Sequence, residues 1–315
     1  MSILITGGAG FIGSHLVDHY IGRGERVCVL DNLSKGGLDN IGRWLDSDGL
    51  TFVKGDLLDS SSIDEAIEGC EVVYHLAANP EVRSSRASPS DHFRQNVECT
   101  YNLLEAVRKK GDVKSLVFAS TSTVYGEPNE IPTPEDYGPL RPISVYGASK
   151  LAAEALICSY ASMYGFKAVI YRMANVVGPR SDHGVIFDFV QKLKGNPAEL
   201  EVLGDGTQSK SYLHVEDCVA GMVLGIDMVK ENPETLNIGS VDQLNVLSIA
   251  RIVIGEMGLE DTEIRLTGGV DGGRGWRGDV KIMQLDRSRL MSLGWSPLMN
   301  SEEAVRSTAR SMIRE

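Results

Sequence analysis

Residues 2 to 31 leave the chain few ways to fold. Ser2-Ile3-Leu4-Ile5-Thr6 is a short apolar run that reads as a buried strand. Gly7-Gly8-Ala9-Gly10-Phe11-Ile12-Gly13 follows directly, and its glycines satisfy both G-x-G-x-x-G from Gly8 and G-x-x-G-x-x-G from Gly7. A helical pattern begins at Phe11 and runs to about Ile21, which completes the strand, glycine turn and helix that this fingerprint requires. Gly7 and Gly10 allow a tight turn and close approach of backbone to a pyrophosphate, and Gly13 allows helix and strand to touch. The helix N-terminus then faces the phosphates. A second strand, Arg26-Val27-Cys28-Val29-Leu30, ends at Asp31. A carboxylate there accepts from an adenosine ribose 2′-OH and repels a 2′-phosphate, so the expected cofactor is NAD rather than NADP. Its site takes in Gly7, Gly10, Phe11, Ile12, Asp31 and the neighbouring Asn32.

Strands and helices continue to alternate. Strands are expected at 2–6, 27–31, 51–54, 71–75, 115–119 and 167–171, with helices near 11–22, 61–69, 92–109 and 145–164. This order predicts an α/β fold, a Rossmann-type doubly wound parallel sheet with its ligand cleft at the carboxyl ends of the strands. A chain of 315 residues exceeds the usual size of one domain. Residues 1–174 plus 211–241 are therefore expected to form the NAD-binding domain, and 175–210 plus 242–315 a smaller substrate-binding domain.

The strand ends carry chemistry. The third strand ends in Gly55-Asp56-Leu57, where Asp56 suits either the adenine amino group or a turn. The fourth ends in Leu76-Ala77-Ala78, small enough to pass a cofactor, and Asn96 on the following helix is placed to brace strand ends through backbone hydrogen bonds. The fifth delivers Ser120-Thr121-Ser122-Thr123-Val124-Tyr125-Gly126. Four hydroxyl residues in a row face a cleft or make turns, because buried hydroxyls need partners. Farther on, Tyr146 and Lys150 stand four apart in Ser144-Val145-Tyr146-Gly147-Ala148-Ser149-Lys150, on one face of a helix. A phenol titrates near ~10, and lowering it by roughly three units asks for about 4 kcal/mol of differential stabilisation. Lys150 and the positive ring of an oxidised nicotinamide are the expected sources.

Composition narrows the partners. Lys plus Arg number 31 against 43 Asp plus Glu, a net charge of −12 with no basic run. Nucleic acid and anionic membranes are thus not expected, and an anionic substrate needs a few cations focused in one cleft. Five scattered cysteines without a C-x-x-C suit buried thiols in a reducing cytoplasm. No apolar stretch long enough to span a membrane and no signal peptide are read. Of the six histidines only His15 and His19 have ligand-like spacing, and these read as packing residues, so no metal is expected.

Taken together, the cofactor turn, the hydroxyl strand end and the Tyr-Lys helix resemble the extended short-chain dehydrogenase/reductase family. Within it the chain most resembles the NAD-dependent nucleotide-sugar epimerases of UDP-glucose 4-epimerase type, from residue 2 to about Trp295-Ser296-Pro297. The resemblance implies Tyr146 as catalytic base, Lys150 as the lysine that holds the cofactor ribose and favours the phenolate, and Thr121 in T-x-x-V-Y-G as the catalytic hydroxyl. Ser120 is implied at the nicotinamide end. Relatives that eliminate water or decarboxylate carry Asp-Glu or Ser-Glu before Val-Tyr-Gly, whereas Ser122-Thr123 stands here. The implied reaction is inversion at C4 of a UDP-hexose through a 4-keto intermediate.

The resemblance further implies that Asn175, Lys210 (where relatives carry Arg) and either Arg274 or Arg277 hold the nucleotide-sugar diphosphate, with Arg274 preferred. Met283 falls near the position that gates the sugar. Glu216 and Asp217 suit the start of a helix better than a ligand. A homodimer through the helices at 92–109 and 145–164 is implied as well. Two other activities share these residues, a dehydrogenase that releases NADH and an epimerase of UDP-N-acetylhexosamine or UDP-hexuronate, whereas Tyr146 and Lys150 speak against an NAD-binding protein without turnover.

Overall fold

Side-chain alternation along the first strand sets the layer order of the molecule. In β1 (Ser2–Thr6), Ile3 and Ile5 join one apolar layer and Leu4 the opposite one, following the two-residue repeat of a strand. The computed structural model describes residues 1–83 and 87–314. After β1 come α1 (Phe11–Ile21), β2 (Arg26–Asp31), β3 (Leu50–Lys54), α2 (Ser60–Ala66), β4 (Val72–His75), α3 (Pro89–His92), α4 (Cys99–Lys110), β5 (Ser115–Thr121), α5 (Val145–Tyr164) and β6 (Lys167–Met173). The chain continues through β7 (Asn175–Val177), α6 (Val185–Gly195), β8 (Glu199–Val202), β9 (Ser209–Lys210), β10 (Tyr212–His214), α7 (Val215–Met228) and β11 (Glu234–Ile238). It closes with β12 (Leu244–Asn245), α8 (Val246–Glu256), β13 (Glu263–Leu266), β14 (Ile282–Met283), α9 (Ser288–Ser292) and α10 (Ser301–Arg314).

Seven strands form one parallel sheet in the order β11-β6-β5-β4-β1-β2-β3. The order reverses between β1 and β4, the switch point where α/β sheets open a crevice at the strands' carboxyl ends. One face buries Leu16 and Val17 of α1 with Cys218 and Met222 of α7. The other buries Ile63 of α2, Leu103 and Leu104 of α4, and Ala153 and Ile157 of α5. At Gly13 in α1 an added Cβ would lie 2.2 Å from the Gly7 carbonyl oxygen, so only glycine lets the helix sit this close to the turn.

Smaller sheets and helices α6, α8 and α10 enclose a separate apolar cluster that includes Phe189, Val190, Val253 and Val305. A fourth cluster, with Val124, Tyr125, Ala174, Val280 and Met283, joins residues near the ends of β5 and β6 to the segment of β14.

The expected strands and helices up to β6 are present, and most elements after β6 lie outside the sequence reading. The edge strand β11 was not among the expected strands. The helix expected at 61–69 stops at Ala66. The helix expected at 92–109 starts at Pro89 and passes through a π-helical stretch, Phe93–Glu98, before α4. A π stretch places an extra residue in the turn, which a search for 3.6-residue periodicity does not detect. Glu216 and Asp217 do stand in the first turn of α7, and Asp217 accepts from the amides of Leu298 (3.0 Å) and Met299 (3.2 Å).

Candidate active site

A cleft of about 740 Å³ opens over the carboxyl ends of the central strands. Its dinucleotide half is lined by Gly7, Gly10, Phe11 and Ile12 from the turn and α1, by Asp31 and Asn32 after β2, by Asp56 and Leu57 after β3, and by Leu76, Ala77 and Ala78 after β4. Asp31 is buried and accepts from the amides of Ala9 (3.0 Å) and Leu33 (2.8 Å), one on each carboxylate oxygen. Burial pushes its carboxyl up, and the two amides draw it back down. Each oxygen keeps acceptor capacity for a ribose hydroxyl. Asp56 accepts from Asn32 (2.8 Å) and from the amide of Leu58 (2.9 Å), so the adenine-side carboxylate also shapes its own turn. Glycine turn, acidic strand end and alanine wall together fit NAD.

Behind this wall, Asn96 is 2 % exposed and lies off the cleft. Turned inward by the π stretch, it accepts from the Asn79 amide (2.7 Å) and donates to the Asn79 carbonyl (3.3 Å) and to Ser149 Oγ (2.9 Å). It links the loop after β4 to α5 one residue before Lys150, and acts as a brace rather than a contact.

On the other side of the cleft stand Ser120, Thr121, Ser122, Tyr146 and Lys150. Ser144 caps α5 by accepting from the Gly147 amide (3.0 Å), which fixes the turn that presents Tyr146. Burial pushes Tyr146 up to about 12, and the Thr121 hydroxyl only partly draws it back. Lys150, 3 % exposed, is pushed down to about 7 by burial, opposed by the charge of Glu154. Its ammonium lies 4.0 Å from the Phe118 ring centroid. Burial disfavours the charged form of each group.

Ser120 is committed elsewhere too. Its hydroxyl donates to Glu154, which also receives Arg172 at 2.9 Å, so this cleft-lining side chain also serves a buried ion pair beneath the strand end.

Among the substrate-side residues, Asn175, Lys210 and Met283 line the cleft, and Asn175 donates to the Ser211 carbonyl at 3.3 Å. Lys210 pairs with Asp279 at 2.6 Å. Arg274 and Arg277 do not line the cleft. Arg274 binds the carbonyls of Asp279 (3.1 Å) and Asp271 and the carboxylate of Glu127, and Arg277 pairs with Asp271 at 3.3 Å. Their nearest anions are on their own turn or the loop after β5, and these hold both guanidiniums away. The cleft instead gains Lys35, Arg83 and Trp276, none of which the sequence reading singled out. Their only signal in the sequence was a cation or aromatic beside a motif.

Comparison with known proteins follows the same lines. The model of the NAD dependent epimerase/dehydratase family matches residues 3–239. A curated relative, UDP-glucose 4-epimerase of Mycolicibacterium smegmatis, is 32% identical over 318 residues, covering 98% of this chain and 97% of the relative. A crystal structure of a UDP-galactose 4-epimerase superposes with a TM-score of 0.88 at 45% identity, covering 100% of this chain and 99% of the other. The Thermus thermophilus UDP-glucose 4-epimerase complex with NAD gives a TM-score of 0.85 at 34% identity, with 99% of each chain covered.

Proposed function

The chain belongs to the NAD dependent epimerase/dehydratase family, and from that premise we propose that it inverts C4 of a UDP-hexose, of the UDP-glucose/UDP-galactose type, through a 4-keto intermediate. One observation carries the reading: Thr121, Tyr146 and Lys150 share a cleft with the dinucleotide turn, while Ser122 and Thr123 at the same strand end offer no carboxylate. Elimination and decarboxylation need an acid or base away from C4, and this strand end has none.

NAD, held by the glycine turn, Asp31 and Lys150, would supply the hydride acceptor and, once reduced, the hydride donor, and its oxidised ring would add positive charge to the cleft. Tyr146, as phenolate, takes the proton of the sugar 4-OH, and Thr121 holds the same oxygen. When C4 is reduced again on its other face, Tyr146 returns the proton. No net redox occurs and no proton is consumed. Lys150 and the phenolate stabilise each other as an ion pair, which supports charge on both at neutral pH although burial alone disfavours each.

The finer setting is part of the same proposal: a cytoplasmic enzyme of galactose metabolism, working as a homodimer. Five free cysteines suit a reducing compartment. The test is a panel of UDP-glucose, UDP-N-acetylglucosamine and UDP-glucuronate, with C4 isomers separated and NADH absorbance followed. C4 isomers of UDP-glucose with no NADH accumulation are expected. Stoichiometric NADH without isomer would replace the epimerase by a dehydrogenase, and turnover confined to another sugar would reassign the substrate.

A further inference from the structure

The cleft has to hold a diphosphate on a protein of net charge −12, so its few cations decide where the anion sits. Among the described residues, the Lys and Arg side chains that line it are Lys35, Arg83, Lys150 and Lys210. Lys35 precedes Gly36, where an added Cβ would stand 2.4 Å from the Ala9 carbonyl oxygen, which places it at the dinucleotide turn. Lys150 is buried in the cofactor wall. Arg83 and Lys210 remain, and they converge on one ring. The Arg83 guanidinium carbon lies 4.6 Å from the Trp276 ring centroid and the Lys210 ammonium 5.6 Å from it.

We infer that Trp276 is a platform that gathers Arg83 and Lys210 into the diphosphate grip of this chain, in place of Arg274 and Arg277. The inference rests on the UDP-sugar reading above and names the residues that serve it. Two cations held at one ring repel each other. Asp279 offsets Lys210 alone, so the cluster keeps a net positive charge at the ring that an anionic diphosphate neutralises. The indole N–H is buried and finds no acceptor among the described residues, leaving a neutral donor for an anionic oxygen. The platform is also fixed relative to the chemistry. Gly278, at φ +87°, carries its turn against α5, where an added Cβ would meet the Ile143 carbonyl oxygen at 3.1 Å, one residue before the Ser144 cap. Trp276 is thus anchored at the end of the helix that presents Tyr146. Arg83 reaches the ring from the loop after β4, across the cleft.

The experiment is calorimetric titration of the NAD-loaded protein with UDP and, separately, with uridine. Arg83→Ala and Trp276→Leu are each expected to weaken UDP by about tenfold or more, as loss of charge-assisted contacts does, while uridine affinity stays within about twofold. Arg83→Lys is expected to recover part of the loss. Because Arg83 is exposed, its removal leaves the core intact. UDP affinity unchanged in Arg83→Ala overturns the inference alone. So does a parallel loss of UDP and uridine in Trp276→Leu, or a larger loss of UDP in Arg274→Ala than in Arg83→Ala. Wild-type protein that binds neither UDP nor uridine overturns the UDP-sugar reading first and the grip with it.

Discussion

Tyr146 and Lys150 are dehydrated partners, and their chemistry follows from what dehydration does to each. Removing the phenol oxygen from Tyr146 should leave NAD bound, since the dinucleotide wall does not depend on it, but remove the proton acceptor. Tyr146→Phe is therefore expected to lower kcat by ~10²–10⁴-fold, the range for a general base. Comparable steady-state rates in wild type and mutant would dismiss this role. Lys150 gives a test without turnover. Its folded pKa, about 7, lies below the ordinary value of 10.5, so between these values the unfolded chain binds the extra proton and folding stability rises with pH. Lys150→Met keeps the length and drops the charge. In the NAD-free protein the mutant should be the more stable at pH 6, and its advantage in Tm should shrink toward pH 9. An advantage independent of pH would show that the ammonium is not dehydrated. Both residues were legible in the sequence because i to i+4 spacing on a helix is a local rule. Their titration was not, since burial is a property of the whole fold. Arg83 and Trp276 stayed hidden for a related reason: they meet only when two loops distant in sequence close over one cleft, and Arg274 and Arg277 looked better placed until Glu127 and Asp271 came beside them.

The elements were the more legible part, because a glycine turn between a strand and a helix admits few folds and the alternation continues to β6. Periodicity cannot see a π stretch, however, and the one at Phe93–Glu98 carries the brace. Asn96→Ala would leave the Asn79 amide without its acceptor and Ser149 without its donor. An unpaired buried donor costs about 1–3 kcal/mol, so Tm should fall by several degrees. A brace also predicts a loss in kcat greater than the rise in KM, because Ser149 precedes Lys150 on α5 and the substrate contacts lie elsewhere. Asn96→Asp keeps the acceptor for the Asn79 amide and should recover part of the Tm. Wild-type Tm in Asn96→Ala would remove the brace.

Among the described residues, the catalytic helix α5 and its neighbour α4 carry exposed apolar side chains. Tyr101 on α4 and Met163 and Tyr164 on α5 are 46%, 72% and 47% exposed, and the two helices pack against each other. Apolar side chains this exposed on neighbouring helices suit a second copy, whose same two helices would complete a four-helix bundle about a two-fold axis. The copies would each bring a charge of −12, so apolar burial has to overcome repulsion and the association should tighten with salt. Light scattering after gel filtration is expected to give twice 34.2 kDa, and Met163→Glu, which plants two carboxylates in the bundle, should move the protein toward the monomer. Tyr146 sits at the other end of α5, roughly 25 Å away at ~1.5 Å per residue. The monomeric variant should therefore keep UDP binding and most of its turnover while unfolding at lower temperature. A wild-type protein that elutes as a single copy at every salt concentration would leave these side chains without the partner assigned to them.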